Sequence, residues 1–155
     1  IEPNPLMCER IRENVELLDK KNIKSNEHIH VANFAVGKNN KDVFLDTFSG
    51  FGQACINEST NTGIPVKTKP LIEIIQAYSI VKIDALKIDV EGYEVDALAP
   101  FFETAPIELL PKKIVIEYTH KDKWKDKDFI DRLLSKYNYA ISERNNSNLM
   151  LSKNA

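Results

Sequence analysis

The chain has 155 residues, a length typical of one domain with a sizeable core. Hydrophobic residues make up 43% and charged residues 28%, which are the proportions of an ordinary soluble globular protein. The net charge of −2 gives no basic field for nucleic acid or an anionic membrane, and no apolar run approaches the ~20 residues of a membrane span.

The two cysteines and three histidines exclude two further classes of protein. Cys8 and Cys55 have no metal-ligand spacing, and the histidines form no zinc-like cluster. We therefore expect no metal site and no disulfide scaffold, and we expect reduced thiols in a cytoplasmic protein.

The first half of the chain predicts one helix among extended segments. Pro5 suits the first turn of a helix that runs to about Lys21, with Met7, Ile11, Val15 and Leu18 on one apolar face. The other predicted elements are a strand end at Ile1-Glu2, strands at His28–Val36, Asp42–Phe48 and Val66–Thr68, and a long loop at Ser49–Gly63.

Helices alternate with strands in the second half of the chain. One predicted helix begins at Pro70, and two others span Tyr93–Phe102 and Phe129–Tyr137. The predicted strands are Ala85–Val90, Lys113–Tyr118, Tyr139–Ser142 and Asn148–Ser152. The last two strands form an antiparallel pair around Asn145-Asn146, and Ala85–Val90 is expected to be buried. The whole pattern predicts an α/β fold, a mostly parallel sheet covered on both faces, in a single domain over residues 1–155.

Acidic residues follow the predicted strand Ala85–Val90. Asp89 and Glu91 flank Val90, so they lie on the same side if the chain stays extended. One could orient a ligand amine while the other acts as general base. Alternatively, Asp89 or Glu91 caps the following helix, and capping is the preferred interpretation for Glu94.

The next strand also ends in residues that can carry chemistry. Glu117 directly follows Ile116 and is expected to face the crevice at the carboxyl ends of the strands. His120 is a candidate base for a hydroxyl group, or else an exposed loop histidine. Trp124 could cover an acceptor, although such a residue more often anchors a loop on the core.

Two segments of the first half are candidates for nucleotide binding. Glu2 ends a predicted strand before Pro3-Asn4-Pro5, and an acid there can accept hydrogen bonds from both hydroxyls of a ribose. Small residues in Asn33–Gly37 would let a flat base approach the backbone. The alternatives are an exposed terminal Glu2 and a tight strand exit at Ala35 and Gly37.

In combination, four segments resemble the FkbM family of S-adenosylmethionine-dependent methyltransferases. Their order and spacing fit from Ile1 to about His120, and Lys87–Gly92 is the most specific of them. The matching segments are Ile1–Pro5, Asn33–Gly37, Leu86–Glu94 and Ile114–Glu117.

The resemblance implies a Rossmann-like class I methyltransferase fold, with strand order 3-2-1-4-5-7-6 and an antiparallel last strand. It implies O-methylation of a sugar or secondary-metabolite hydroxyl, mostly in bacteria, with S-adenosylmethionine as cofactor. Glu2, with Pro3 and Asn4, would hold the ribose, Ala35 and Val36 would lie near the adenine, and Asp89 would lie near the methionine end and the acceptor. The base would come from Asp89, Glu91 and Glu117, with His120 as the outside candidate.

The resemblance also implies that the first strand and its glycine-rich turn precede Ile1. We therefore expect an N-terminally truncated domain with two half-sheets, which by itself binds S-adenosylmethionine weakly or not at all. The alternatives are another Rossmann-type nucleotide-dependent enzyme, such as a dehydrogenase, and a non-catalytic binding module. Binding of Mg²⁺ by Asp89, Glu91 and Glu117 is a less favoured possibility.

Overall fold

The computed structural model describes residues 1–20, 29–46, 55–57 and 62–154. The chain divides into two compact units, Ile1–Lys69 (unit 1) and Pro70–Ala155 (unit 2). Unit 1 contains α1 (Pro5–Lys20), β1 (Ala35–Val36), β2 (Lys41–Asp46), β3 (Cys55–Asn57) and β4 (Ile64–Lys69). Unit 2 contains α2 (Leu71–Ala77), β5 (Ala85–Ile88), α3 (Glu94–Thr104), β6 (Lys113–Glu117), α4 (Phe129–Ser135), β7 (Tyr139–Arg144) and β8 (Asn148–Lys153), with short 3₁₀ turns at Ile107–Leu109 and Lys121–Lys123.

The sheet of unit 1 has the order β1-β4-β2-β3. Strand β1 pairs with β4 in parallel, whereas β2 is antiparallel to both β4 and β3. Its core consists of Ala35, Val43, Leu45 and Val66, with Ile56 and Ile64 packed against it. Alternation along β2 and β4 produces this single buried face, since every second side chain points inward.

A close approach of backbone to side chain fixes the turn between β1 and β2. A Cβ atom on Gly37 would lie 3.1 Å from the Cβ of Thr68, so the position suits glycine. The buried Thr68 hydroxyl donates to the Asn39 carbonyl at 2.7 Å and accepts from the Lys41 N–H at 3.1 Å. The turn therefore returns the chain directly alongside β4 as a neighbouring antiparallel strand.

Helix α1 begins as the sequence predicts. The side-chain oxygen of Asn4 accepts from the Leu6 N–H at 3.0 Å, so Asn4 caps the helix and Pro5 occupies its first position. The predicted apolar face is only partly covered, because Ile11 and Leu18 each remain 38% exposed.

The sheet of unit 2 has the order β5-β6-β8-β7. Strand β5 is parallel to β6, and β8 is antiparallel to both β6 and β7. One face of this sheet carries the buried residues Ile88, Ile114, Ile116, Leu149 and Leu151. The aromatic core of the unit centres on Phe102, whose ring lies 5.0–5.9 Å from the rings of Phe101, Phe129, Tyr137 and Tyr139.

The prediction of a mostly parallel sheet is wrong, although the α/β class is confirmed. Among the described strands only two of the six pairings, β1·β4 and β5·β6, are parallel. The reason is that β2 runs opposite to β1 after the short turn between them and so lies antiparallel to β4, while β7 and β8 form a hairpin, which can only be antiparallel. The predicted antiparallel pair near the C-terminus is confirmed as β7 and β8.

Several predicted strands are shorter than expected. Of His28–Val36 only Ala35–Val36 is strand, and Ile1-Glu2 contributes one backbone hydrogen bond, from the Glu2 N–H to the Ala32 carbonyl, instead of a strand end. Strand β5 ends at Ile88 and has an exposed or half-exposed side chain at its first three positions, so it is not the buried strand that its composition predicted. Its paired neighbour among the described strands is β6 alone, which leaves one edge open.

The remaining elements agree with the prediction to within a few residues. Helix α3 buries Val95, Leu98 and Phe102 as expected. Strand β3 lies inside the predicted loop Ser49–Gly63, and the rest of that loop up to residue 61 is outside the described residues. The division into one domain stays a prediction. No helix in the described ranges is long and apolar enough to cross a membrane.

Candidate functional site

The candidate site of unit 2 lies where β5 and β6 end side by side. The last pair in their parallel register is Ile88 with Ile116, so Asp89 and Glu117 are the next residues on the two strands. Parallel strands present their carboxyl ends at one edge of a sheet, which is where ligands bind in α/β folds. The predicted candidates Asp89, Glu91, Glu117 and His120 therefore all belong to this edge.

The structure pairs Glu91 with His120. The Oε2 atom of Glu91 lies 3.1 Å from the Nε2 atom of His120, and the two side chains are 24% and 26% exposed. A neutral imidazole that donates its Nε2–H to Glu91 leaves the Nδ1 lone pair as proton acceptor. The contact therefore orients the imidazole, and His120 is not the exposed loop histidine of the alternative interpretation.

An unusual backbone conformation makes this pairing possible. Glu91 has a φ of 56° and Gly92 a φ of 103°, so both lie in the left-handed region. The predicted extension through Val90 to Glu91 is therefore wrong, because the chain turns sharply after β5. At Gly92 a Cβ would lie 2.9 Å from the Cδ of Lys123 and 3.4 Å from the Cβ of His120, which leaves no room for a larger residue without displacement.

Glu94 holds the turn that carries Glu91. Its carboxylate is fully buried, and Oε1 accepts from the N–H groups of Val90 at 2.9 Å and Gly92 at 3.2 Å, one on each side of Glu91. The other oxygen accepts from the indole N–H of Trp124 at 2.9 Å. Three donors and the N-terminus of α3 stabilise the buried charge.

Trp124 anchors the loop that carries His120. Its side chain is 5% exposed and bound to Glu94, so the anchoring interpretation is the one the structure supports. Backbone bonds from Lys123 N–H to His120 carbonyl (2.9 Å) and from Lys121 N–H to Tyr118 carbonyl (3.2 Å) shape the loop further. One buried carboxylate thus positions both halves of the Glu91–His120 pair, a role beyond the simple capping that the sequence predicts for Glu94.

Asp89 and Glu117 have different surroundings from this pair. The Asp89 carboxylate is exposed and accepts from the Lys87 ammonium at 3.1 Å. Glu117 is 8% exposed, and its Oε1 accepts from the Thr119 N–H at 3.1 Å. Its Oε2 is buried and has no hydrogen-bond partner among the described residues.

The loop that carries His120 also lines a cavity of about 450 Å³ within unit 2. Tyr118 and Lys121, on either side of His120 in the chain, contribute to its wall, and Ile130, Leu134 and Leu149 form apolar parts of it. Arg144 lies 4.8 Å from the centre of the Tyr118 ring and donates to its hydroxyl at 2.6 Å, which fixes one side of the cavity.

The candidates of unit 1 lie around the start of α1. The backbone of Glu2 and Pro3 is held by the Asn33 side-chain amide, which donates to both carbonyls at 3.0 and 2.9 Å. The Cys8 thiol also donates to the Glu2 carbonyl, at 3.0 Å. The half-buried Glu2 carboxylate accepts from the Asn4 N–H at 2.8 Å through Oε1.

The remaining candidates of unit 1 are in part structural. Asn4 caps α1, so its side-chain oxygen already has a donor. Ala35 is buried and Val36 half-buried at the end of β1, where they pair with Thr68 and Lys69. No groups of three or more His, Cys, Asp and Glu that could hold a metal ion occur within residues 1–20, 29–46, 55–57 and 62–154.

Comparison with known proteins identifies the class of protein. The family model described as Methyltransferase FkbM domain matches residues 1–141. The chain therefore belongs to the FkbM methyltransferase family, as the four sequence segments indicate. No curated protein and no solved structure gave a significant match.

Proposed function

We propose that the protein is an S-adenosylmethionine-dependent O-methyltransferase that acts on a hydroxyl group of a sugar or secondary metabolite. The family supports methyl transfer in general. The Glu91–His120 pair is the observation that supports methylation on oxygen in particular, because a histidine oriented by a carboxylate suits removal of a hydroxyl proton.

The reaction needs little chemistry from the protein beyond positioning and one base. S-adenosylmethionine supplies an electrophilic methyl group on a positively charged sulfur. Transfer of that methyl group to the acceptor oxygen would break the methyl–sulfur bond and leave its electron pair on sulfur, so the protein would need to supply only a group that takes the hydroxyl proton. In this proposal Nδ1 of His120 takes the hydroxyl proton, and Glu91 stabilises the resulting imidazolium.

Residues of unit 1 offer features that suit the cofactor. The Glu2 carboxylate stands on a backbone that three hydrogen bonds hold in place, which suits a fixed acceptor for ribose hydroxyls. Ala35 and Val36 are the proposed neighbours of the adenine, and Pro3 and Asn4 shape the segment that carries Glu2. In unit 2, Asp89 is exposed at the end of β5, where its carboxylate is available to a ligand at that edge of the sheet.

The cavity beside the His120 loop is the proposed site for the part of the acceptor remote from the reacting hydroxyl, because Glu91 and His120 are not among its lining residues. Its volume of about 450 Å³ lies within the range of small-molecule sites, and it combines apolar walls with charged side chains of both signs, among them Lys121, Arg144 and Asp131. The free thiol of Cys8 is compatible with the cytoplasm as the compartment.

The test is methyl transfer by the protein expressed from its complete reading frame. Isotope-labelled S-adenosylmethionine is incubated with a panel of sugars and phenolic or alcoholic metabolites, and products are analysed by mass spectrometry. We expect the label as a methyl ether on oxygen. A folded protein that neither binds the cofactor nor transfers the label would instead favour the binding-module alternative.

A further inference from the structure

Glu117 has a carboxylate oxygen that the protein leaves without a donor. The residue ends β6 and is 8% exposed. Thr119 donates to Oε1, but Oε2 is buried and unpartnered among the described residues. A buried acceptor without a donor is unfavourable, and more so when it is charged, so Oε2 is expected to have a partner that the described residues do not supply.

Asn148 presents a second oxygen of the same kind. It is the first residue of β8 and the register partner of Glu117. The next pair outward is hydrogen-bonded, with the Tyr118 N–H donating to the Ser147 carbonyl at 2.8 Å. Glu117 and Asn148 thus form a pair of the non-hydrogen-bonded type, in which side chains on one face come closest. The Oδ1 atom of Asn148 is also buried and unpartnered among the described residues.

The described part of the chain provides no cation for this pair of oxygens. Lys87, on the neighbouring strand, is paired with Asp89, and Arg144, whose register partner Leu149 follows Asn148, donates to the Tyr118 hydroxyl. Two acceptors on one face require a group with at least two donors, and the carboxylate favours a positive charge. A primary ammonium has three N–H donors and one charge, and it meets both requirements.

We propose that Glu117 and Asn148 together bind a primary ammonium group of a ligand. The proposal rests on the proposed function in one respect, namely that the ammonium belongs to the amino-acid end of the cofactor or to an amino-bearing acceptor such as an amino sugar. It assigns Glu117 to ligand recognition instead of proton removal and adds Asn148, which the sequence alone did not single out.

The test uses methylammonium as the probe and does not depend on methyl transfer. The Glu117 carboxyl ¹³C and the Asn148 side-chain ¹⁵N signals are followed by NMR during titration with methylammonium chloride. Tetramethylammonium, which has the same charge but no N–H donor, is the matched reagent. We expect saturable shifts with methylammonium alone, weakened at least tenfold in Glu117→Gln and Asn148→Leu and unchanged in Glu143→Gln, an exposed control.

Equal responses to both cations, or no response, would overturn the proposal, and a bridging water or the Asn148 amide turned by 180° would then be the partner of the Glu117 oxygen. Two further arms identify the source of the ammonium. If the ammonium belongs to the cofactor, Glu117→Gln should lose affinity for S-adenosylhomocysteine but not for methylthioadenosine, which lacks the amino acid. If the ammonium belongs to the acceptor, Glu117→Gln should lose affinity for glucosamine but not for glucose, which lacks the amino group. An effect in neither arm would overturn the assignment to a ligand of this enzyme.

Discussion

The buried carboxylate of Glu94 gives the most sharply defined energetic prediction. In Glu94→Gln the single amide oxygen can still accept from the N–H groups of Val90 and Gly92, but the amide N–H₂ then faces the indole N–H of Trp124. A charge-assisted bond is lost and two donors oppose each other, so we expect a loss of about 2–3 kcal/mol in the free energy of unfolding. Glu94→Ala leaves all three donors without the carboxylate and is expected to cost about 3–5 kcal/mol.

A double-mutant cycle with Trp124→Phe isolates the contact between the two side chains. Phenylalanine removes the opposing donor, so Glu94→Gln should cost only about 1 kcal/mol in that background, with a coupling energy of about 1–2 kcal/mol. Urea unfolding followed by far-ultraviolet circular dichroism measures all four proteins. Trp124 is the single tryptophan of the chain, so its fluorescence gives an independent transition in the proteins that retain it.

The matched control is Glu108→Gln, an exposed acid in the turn Ile107–Leu109, which should change stability by less than about 0.5 kcal/mol. Additive losses within about 0.5 kcal/mol in the cycle would refute the contact between Glu94 and Trp124 as a determinant of this loop.

Three other perturbations test separate parts of the structure. Gly92→Ala places a Cβ at a φ of 103° against Lys123, and we expect a loss of about 1–3 kcal/mol in urea unfolding; a neutral effect would contradict the left-handed turn. The Arg132 guanidinium holds the pKa of Asp126 below its usual value. The stability that this ion pair provides is therefore present above the pKa of an unfolded aspartate and is lost as pH falls through the lower folded value. The gap between wild type and Asp126→Asn, roughly 0.2–1 kcal/mol for such a partly exposed pair, should shrink below about pH 4, and a gap that widens on acidification would be inconsistent. Burial raises the pKa of the Cys8 thiol, so in Cys55→Ser the native protein should react with Ellman's reagent much more slowly than the urea-unfolded one, and equal rates would contradict its burial.

Local sequence patterns predicted the helices and strands whose sequence signals all lie within one short segment of the chain. The spacing of Val95, Leu98 and Phe102 predicted the buried face of α3, and Asn4 followed by Pro5 marked the beginning of α1. The pair β7 and β8 followed from two apolar runs around Asn145-Asn146. Each of these elements depends on residues that are neighbours in sequence, so propensity and periodicity are sufficient to predict it.

Strand pairing and direction were harder to predict because they depend on long-range contacts. The run Ala85–Val90 has the composition of a buried strand, yet β5 has one paired neighbour among the described strands and is half exposed. The segment His28–Val36 is rich in strand-forming residues, but its described part pairs in a ladder only at Ala35 and Val36. Composition reports a preference for extended backbone and does not report whether a partner strand is present.

The sequence predicted where the candidate residues lie in the fold better than it predicted their contacts. Acids and a histidine were expected after two adjacent strands, and they follow β5 and β6 at one edge of the sheet. The contact between Glu91 and His120 was not predictable, because alternation fails where Glu91 turns into the left-handed region. Asn148 could have been found by placing the predicted strand Asn148–Ser152 opposite Lys113–Tyr118, since the register puts it beside Glu117.

The direct test of the central claim is the methyl-transfer rate of His120→Ala in the protein expressed from its complete reading frame. If the Glu91–His120 pair is the base, kcat should fall by about 10²–10⁴-fold with little change in cofactor affinity, and Glu91→Gln should show a smaller loss. Added imidazole and more acidic hydroxyl acceptors should restore part of the rate of His120→Ala, whereas Lys125→Ala in the same loop should behave as wild type. A His120→Ala protein that transfers methyl groups to oxygen at the wild-type rate would contradict the account.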